Sequence, residues 1–181
     1  MAYAKENNYQ IVYNRETGKQ TLRGYADASF PTKISLNRPP ATPYGYVISY
    51  YGGPILWKVK RMKDMVPTST AEAEILAVFA CAEQIYILAR LMEELGQWDK
   101  KKPVKIYSDN AAAVKGCNDE RNVNFWKHKY LKIKEWQDEG YITVKKLKGT
   151  ENPADIFTKA LAKQQIKHLT EMILDLKEQR K

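Results

Sequence analysis

Thr68-Ser-Thr-Ala-Glu72-Ala-Glu74-Ile-Leu-Ala-Val-Phe-Ala80 is the stretch on which the fold turns. Ser69-Thr-Ala-Glu72 is a capping box, in which the Ser69 hydroxyl accepts from the Glu72 amide and Glu72 reaches back to the Ser69 amide. Leu76, Phe79, Ala80, Ile85, Leu88, Leu91, Met92 and Leu95 then carry an apolar helix to a stop at Gly96. Such a helix is apolar over much of its circumference and is expected to lie across a sheet. Glu72 has a local task at the helix start. Glu74, about 200° further round at ~100° per residue, has none. A carboxylate on an otherwise buried helix face is costly unless a cation meets it.

Upstream, Gln10-Ile-Val-Tyr13, a turn at Asn14–Gly18 and Thr21–Phe30 read as strand, turn, strand. In the second of these, Leu22, Gly24, Ala26 and Ala28 face one way and Arg23, Tyr25, Asp27 and Ser29 the other. The small residues predict an element crossing closely. Pro31–Pro43 reads as a loop, and Tyr44–Tyr51 with Ile55–Lys60 as a hairpin turning at Gly52-Gly-Pro54.

Downstream, Pro103–Asp109 reads as a short strand with Asp109 at its carboxyl end, where ligand sites of open α/β sheets gather. Asn110–Gly116 is a short helix and 117–122 a polar loop. Val123, Trp126, Tyr130, Ile133 and Trp136 recur at helical spacing, as core residues rather than base-stacking platforms, up to Gly140. Tyr141–Leu147 is a last strand. Asn152-Pro-Ala-Asp155 opens another helix, with Asn152 as cap and Asp155 third. Ile166, Leu169, Ile173 and Leu176 form a terminal apolar stripe, expected to dock on the domain, with a partner-binding stripe as the alternative. The resulting order is three antiparallel strands, a long helix, a strand, helices, a strand and a helix. This is an α/β fold with a mixed sheet, in which the first and fourth strands are parallel neighbours.

The 181 residues suit one domain, and 44% hydrophobic with 28% charged residues fit a globular chain. No run is read as reaching the ~18 apolar residues of a membrane span, and no signal peptide is read, so no membrane partner is expected. Met1-Ala2 reads as an added start or as a cut from something longer. Cys81 and Cys117 lie among apolar residues, as reduced core thiols without metal-site spacing. That implies a reducing compartment, and not secretion. The net charge of +9 is gathered in Lys58–Lys63, Lys100–Lys102, Lys127–Lys134 and Lys145–Lys148. It favours a polyanionic partner, nucleic acid first; solvated lysine faces are the plainer reading of any single cluster.

Four acids stand out. Asp27 sits in a strand, where aspartate is disfavoured, though it reads also as a solvent-facing residue. Asp109 reads equally as a cap for the helix from Asn110. Asp155 reads also as part of a helix start. Glu74 is the hardest to explain otherwise. In a mixed sheet of this order the four can meet on one face, and so placed they repel unless hard cations bind between them. All-carboxylate ligation suits Mg²⁺ or Mn²⁺ rather than zinc. Two such ions about 3.5–4 Å apart support in-line phosphodiester hydrolysis.

Gly24-Tyr-Ala-Asp27-Ala-Ser, Ser69-Thr-Ala-Glu-Ala-Glu74, Tyr107-Ser-Asp109-Asn and Asn152-Pro-Ala-Asp155-Ile-Phe-Thr-Lys159 resemble, in order, the ribonuclease H domain of copia-type (Ty1/copia) LTR retrotransposon polyproteins. Lys127-His128 resembles a Lys-His pair of those domains. The resemblance runs over roughly residues 10–162. It implies the mixed five-stranded ribonuclease H sheet with helices on its faces, and two-metal hydrolysis of the RNA strand of an RNA–DNA hybrid during reverse transcription. Asp27, Glu74, Asp109 and Asp155 would be the catalytic, metal-binding acids, holding two Mg²⁺ or Mn²⁺. The Glu-Ala-Glu pair is ambiguous by motif, and the capping argument selects Glu74. Lys58, Lys60, Asn110, Lys127, His128 and Lys129 are the nucleic-acid candidates. Selectivity for RNA would come from 2′-hydroxyl contacts in the wide minor groove.

The implied partners are the RNA–DNA hybrid and a reverse transcriptase domain of the same polyprotein, with residence in a cytoplasmic virus-like particle or the nucleus. Residues 1–20 would be a lead-in that could add a strand, 21–162 the ribonuclease H-like domain and 163–181 a C-terminal amphipathic helix. One departure is the loop Lys148-Gly-Thr-Glu-Asn-Pro153, which lacks the histidine that cellular ribonucleases H carry there. The alternatives are a domesticated or inactive ribonuclease H fold that only binds nucleic acid or protein, and a transposase or integrase core.

Overall fold

The computed structural model describes residues 11, 13, 22–30, 42–62, 67–99, 102–119 and 127–174. Its strands are β1 (Arg23–Ala28), β2 (Pro43–Tyr50), β3 (Gly53–Arg61), β4 (Val104–Ser108) and β5 (Ile142–Lys146). The helices are α1 (Thr70–Glu94), α2 (Ala111–Asn118), α3 (Lys127–Asp138), α4 (Asp155–Thr158) and α5 (Lys163–Leu174), with a 3-10 turn at Gly149–Glu151. The strands form one sheet in the order β3-β2-β1-β4-β5. β1 is antiparallel to β2 and β2 to β3, whereas β1–β4 and β4–β5 are parallel.

The alternation read in β1 sets this architecture. Ala26 and Ala28 are buried, and a Cβ added at Gly24 would lie 2.6 Å from Ile85 Cδ1 and 2.7 Å from Cys81 Sγ. Only a residue without a side chain lets α1 approach the sheet that closely. Ile75, Leu76, Val78, Cys81 and Ile85 of α1 are buried on that side with Tyr46, Ile48 and Ile106 of the sheet. α3 closes the core from the flank: Trp136 stacks on Tyr86 at 5.0 Å and on Phe79 at 5.8 Å, and Ile133 is fully buried. The aromatic spacing in α3 therefore serves the core, as expected.

The structure shifts several boundaries. The hairpin turns at Tyr51 and Gly52, both with positive φ, and Pro54 already lies in β3 opposite Ser49 beside a bulge. α2 runs through Asn118, so residues 117 and 118 belong to a helix and not to the expected loop. α1 is long and apolar enough, by length and composition, to cross a membrane. That corrects the sequence expectation; the apolar surface exists because the helix lies across the sheet, with Ala77, Val78, Ala82 and Ile85 fully buried. Leu169 and Leu174 of α5 are buried, so the terminal stripe docks on the domain; Leu176 lies outside the described residues. Residues 31–41 of the expected loop, Val123 and Trp126, and most of the strand expected at 10–13 also lie outside them, whereas Pro43, read as the loop's end, already begins β2. Of that first segment, the Tyr13 hydroxyl donates to the Pro54 carbonyl at 2.9 Å.

Candidate metal centre

Three of the four acids meet. Asp27 is on β1 opposite Gly45 of β2, Glu74 is in the first turns of α1, and Asp109 directly follows the last residue of β4. One carboxylate oxygen from each lies within 4.8 Å of the others. Asp27 is wholly buried, Glu74 is 3% exposed, and the Asp109 side chain is 19% exposed, so the cluster opens to solvent on the Asp109 side. The alternative task for Asp109 falls away, because Asn110 caps α2 by accepting from the Ala113 amide at 2.9 Å.

The two glutamates divide as the capping argument requires. Ser69 Oγ accepts from the Glu72 amide at 3.2 Å, and the Glu72 carboxylate accepts from the Thr68 amide at 2.6 Å and the Thr68 hydroxyl at 2.8 Å. The return bond goes to Thr68, one residue earlier than expected. Glu74 instead accepts from the Ser108 hydroxyl at 3.2 Å, and Ser108 Oγ in turn accepts from the Asn110 amide at 3.3 Å. The end of β4 thus orients Glu74 as well as supplying Asp109.

Asp155 arrives differently. It is the first residue of α4, not the third of a helix capped by Asn152; Ala154 occupies the cap position. The buried Asn152 side chain accepts from the Ala154 amide at 3.2 Å and donates to the Ala26 carbonyl at 3.0 Å, tying the turn to β1 next to Asp27. Phe157 holds α4 over β2: a Cβ added at Gly45 would lie 2.5 Å from Phe157 Cβ. Asp155 stands outside the triad of mutually close oxygens and is joined to it by Lys159. The Lys159 ammonium is 2.8 Å from Asp155 Oδ1, 3.0 Å from Asp27 Oδ1 and 3.7 Å from Asp109 Oδ2. The Thr158 hydroxyl donates to the other Asp27 oxygen.

The electrostatics follow from this crowding. Burial, then the charges of Asp27 and Asp109, push the Glu74 carboxyl up to about 9 against the opposing Ser108 hydrogen bond and Lys159 charge. Burial likewise raises Asp155, to about 6, with the Lys159 hydrogen bond opposing and the Asp27 and Asp109 charges adding. Burial alone would lower Lys159, yet its bond to Asp155 and the Asp27 charge raise it above its ordinary value. The site therefore draws positive charge. Its donors are carboxylate oxygens, which suit a hard divalent cation, and the protein already supplies one cation to them.

No protein-family model matches the chain. Among solved structures, LC11-RNase H1 in complex with an RNA/DNA hybrid aligns with a TM-score of 0.56 and 16% identity over 76% of this chain and 93% of that one. The prototype foamy virus protease-reverse transcriptase aligns with a TM-score of 0.55 and 15% identity, over 96% of this chain and 23% of that one. These likenesses establish the fold. In sequence, the chain is 32% identical over 155 residues to the retrovirus-related Pol polyprotein from transposon TNT 1-94 of Nicotiana tabacum. The match takes in 84% of this chain and spans 11% of that polyprotein. The chain carries a ribonuclease H-like domain related to a copia-type retrotransposon Pol polyprotein.

In this ribonuclease H-like domain the basic candidates are spread out. Lys58 and Lys60 are exposed on edge strand β3. Lys127 begins α3 and His128 is exposed behind it, while the Lys129 ammonium lies 4.3 Å from the centre of the Phe79 ring. Lys132 and Lys134 are engaged within α3 by Glu135 and Asp138, each at 2.8 Å, so that stretch offers less free charge than its composition implies. The Asn110 side-chain oxygen is taken by its cap. Sequence reasoning assigned no task to Ser108, Thr158 or Lys159, and gave Asn152 only a local one. The spacing of Asp155 and Lys159, four apart on a helix, was a usable signal.

Proposed function

We propose that the protein is a divalent-metal-dependent endoribonuclease that hydrolyses the RNA strand of RNA–DNA hybrids, as part of a retrotransposon polyprotein during reverse transcription. The observation that carries this is the convergence of Asp27, Glu74 and Asp109 oxygens within 4.8 Å on a ribonuclease H-like sheet. The kinship with a Pol polyprotein and the fold shared with a ribonuclease H bound to a hybrid support the substrate class.

In this reading Asp27, Glu74 and Asp109 hold the metal, with Asp155 at its margin, and the site takes two Mg²⁺ or Mn²⁺ ions. Bound metal supplies charge neutralisation at the phosphate and activation of water. The chain's own residues hold that site ready. Ser108 fixes the Glu74 carboxylate, Asn152 ties the α4 turn to β1, and the buried wall around Asp27 and Glu74 keeps bulk water to the Asp109 side. Lys58, Lys60, Asn110, Lys127, His128 and Lys129 remain the candidates for backbone contact, where loss of a phosphate-binding lysine would lower the salt dependence of binding. We take residues 21–162 as the catalytic domain; of the segment beyond, α5 (Lys163–Leu174) buries Leu169 and Leu174.

The test uses a labelled hybrid, single-stranded RNA and duplex DNA, with Mg²⁺ or EDTA, for wild type and Asp109→Asn. Cleavage of the RNA strand in the hybrid alone, metal-dependent and lost in the variant, is the expected result. Equal binding with no cleavage by either protein would instead identify a binding module.

A further inference from the structure

The cation inside the acid cluster belongs to the protein itself, and it touches oxygens that a metal ion would need. Lys159 lies at the end of α4, where the backbone leaves the helix with φ −124° and ψ 146°. Its ammonium bonds Asp155 and Asp27 and comes within 3.7 Å of Asp109, so it reaches two members of the triad as well as the acid beside it. Thr158 occupies the second Asp27 oxygen, so the Asp27 carboxylate is engaged at both ends by the last residue of one short helix and the residue that caps it. At the same time the Lys159 side chain is 34% exposed, against none for Asp27. The ammonium therefore has a way out toward solvent that the carboxylate lacks.

We infer that Lys159 is a tethered counter-cation that occupies the acid cluster in the metal-free protein and is displaced when a divalent ion binds. It is a positioning residue. Its charge holds Asp27, Asp109 and Asp155 together against their mutual repulsion, and the same charge competes with the ion, so that Lys159 sets how tightly the site takes metal. This inference rests on the metal-binding reading given above, and adds to it the residue that opposes occupation. A side chain that merely braced α4 against β1 would stabilise the metal-free and metal-bound forms alike and leave metal affinity unchanged.

The experiment titrates Mn²⁺ and Mg²⁺ calorimetrically into the purified full chain as wild type, Lys159→Met, Lys159→Arg and Asp109→Asn. Lys159→Met keeps most of the aliphatic stem and removes the charge. It is expected to bind metal about tenfold more tightly than wild type, the ratio that ~1.4 kcal/mol of removed competition produces. Lys159→Arg should stay near wild type, and Asp109→Asn should lose the binding. A second readout uses wild type alone: acetylation of Lys159 by an N-hydroxysuccinimide ester, followed by mass spectrometry, should accelerate when Mn²⁺ is added. Unchanged or weaker affinity in Lys159→Met, with Asp109-dependent binding intact in wild type, would overturn the inference and spare the metal site. Absence of Asp109-dependent binding in every protein would overturn the metal site itself, and this inference with it. Should Lys159→Met fail to fold without metal, the acetylation rate decides: no acceleration overturns displacement.

Discussion

The first turns of α1 and the whole of α4 deliver the same chemical group to the same place by opposite means. α1 is a 25-residue core helix, and its Glu74 enters the cluster with one neutral donor among the described residues, Ser108. α4 has four residues, and its Asp155 brings its own ammonium four positions later. The consequence is visible in their protonation: Glu74 is pushed up to about 9, by burial first, whereas Asp155 with Lys159 beside it reaches only about 6. A long helix anchored by apolar packing can force a carboxylate into a dry position and leave it to find a proton or a metal. A short helix has little packing energy of its own and is held in part by the ion pairs its acid makes.

The sharpest way to break this comparison is to neutralise one acid at a time. Glu74→Gln should weaken Mn²⁺ binding at least about a hundredfold, ~2.7 kcal/mol, measured by calorimetry. The same variant should be more thermally stable than wild type in EDTA at pH 8, because glutamine is neutral without the proton that Glu74 must take up on folding. Between pH 4.5, the ordinary value for glutamate, and about 9, the folded protein binds more protons at Glu74 than the unfolded chain does. Metal-free stability from this group therefore falls as pH rises through that window, and the fall should flatten in Glu74→Gln. Equal slopes in the two proteins would show that Glu74 is not held in a raised state.

Asn152→Ala comes next in size. It strips a buried donor from the Ala26 carbonyl and the acceptor from the Ala154 amide, and should cost about 1–3 kcal/mol in urea denaturation. Asp155→Asn should also raise metal-free stability at pH 8, but by less than Glu74→Gln, because the Lys159 ion pair offsets part of the burial cost of the ionised carboxylate. The smaller gain expected for Asp155→Asn than for Glu74→Gln is the comparison itself; an equal or larger gain would show that Lys159 does not offset the burial of Asp155. Glu72→Gln should be the smallest change, within about 0.5 kcal/mol, since a glutamine oxygen can still accept from Thr68.

What could be read in the chain was local. The capping box separated Glu72 from Glu74, and the small residues of β1 announced the crossing of α1, because both signals lie within a few residues of each other. Asp109 was placed at a strand end by the same means. The contacts that complete the centre are long-range. Asn152 meets Ala26 across 126 positions and Lys159 meets Asp27 across 132, and a local reading of Asn152 could propose only a cap. The lysine clusters meet the same limit, since composition does not reveal that Lys132 and Lys134 are taken by Glu135 and Asp138. The apolar content of α1 was read too low, and it decides little alone, because a helix laid across a sheet and a membrane span share a composition.

The central claim is that Glu74, and not its neighbour Glu72, joins Asp27 and Asp109 in holding the metal that hydrolyses RNA in a hybrid. Cleavage of an end-labelled RNA strand annealed to DNA, in Mg²⁺, by wild type, Glu72→Gln and Glu74→Gln side by side, tests it most directly. The account predicts cleavage by wild type and Glu72→Gln at similar rates and none by Glu74→Gln. Activity retained in Glu74→Gln, or lost in a folded Glu72→Gln, would contradict it.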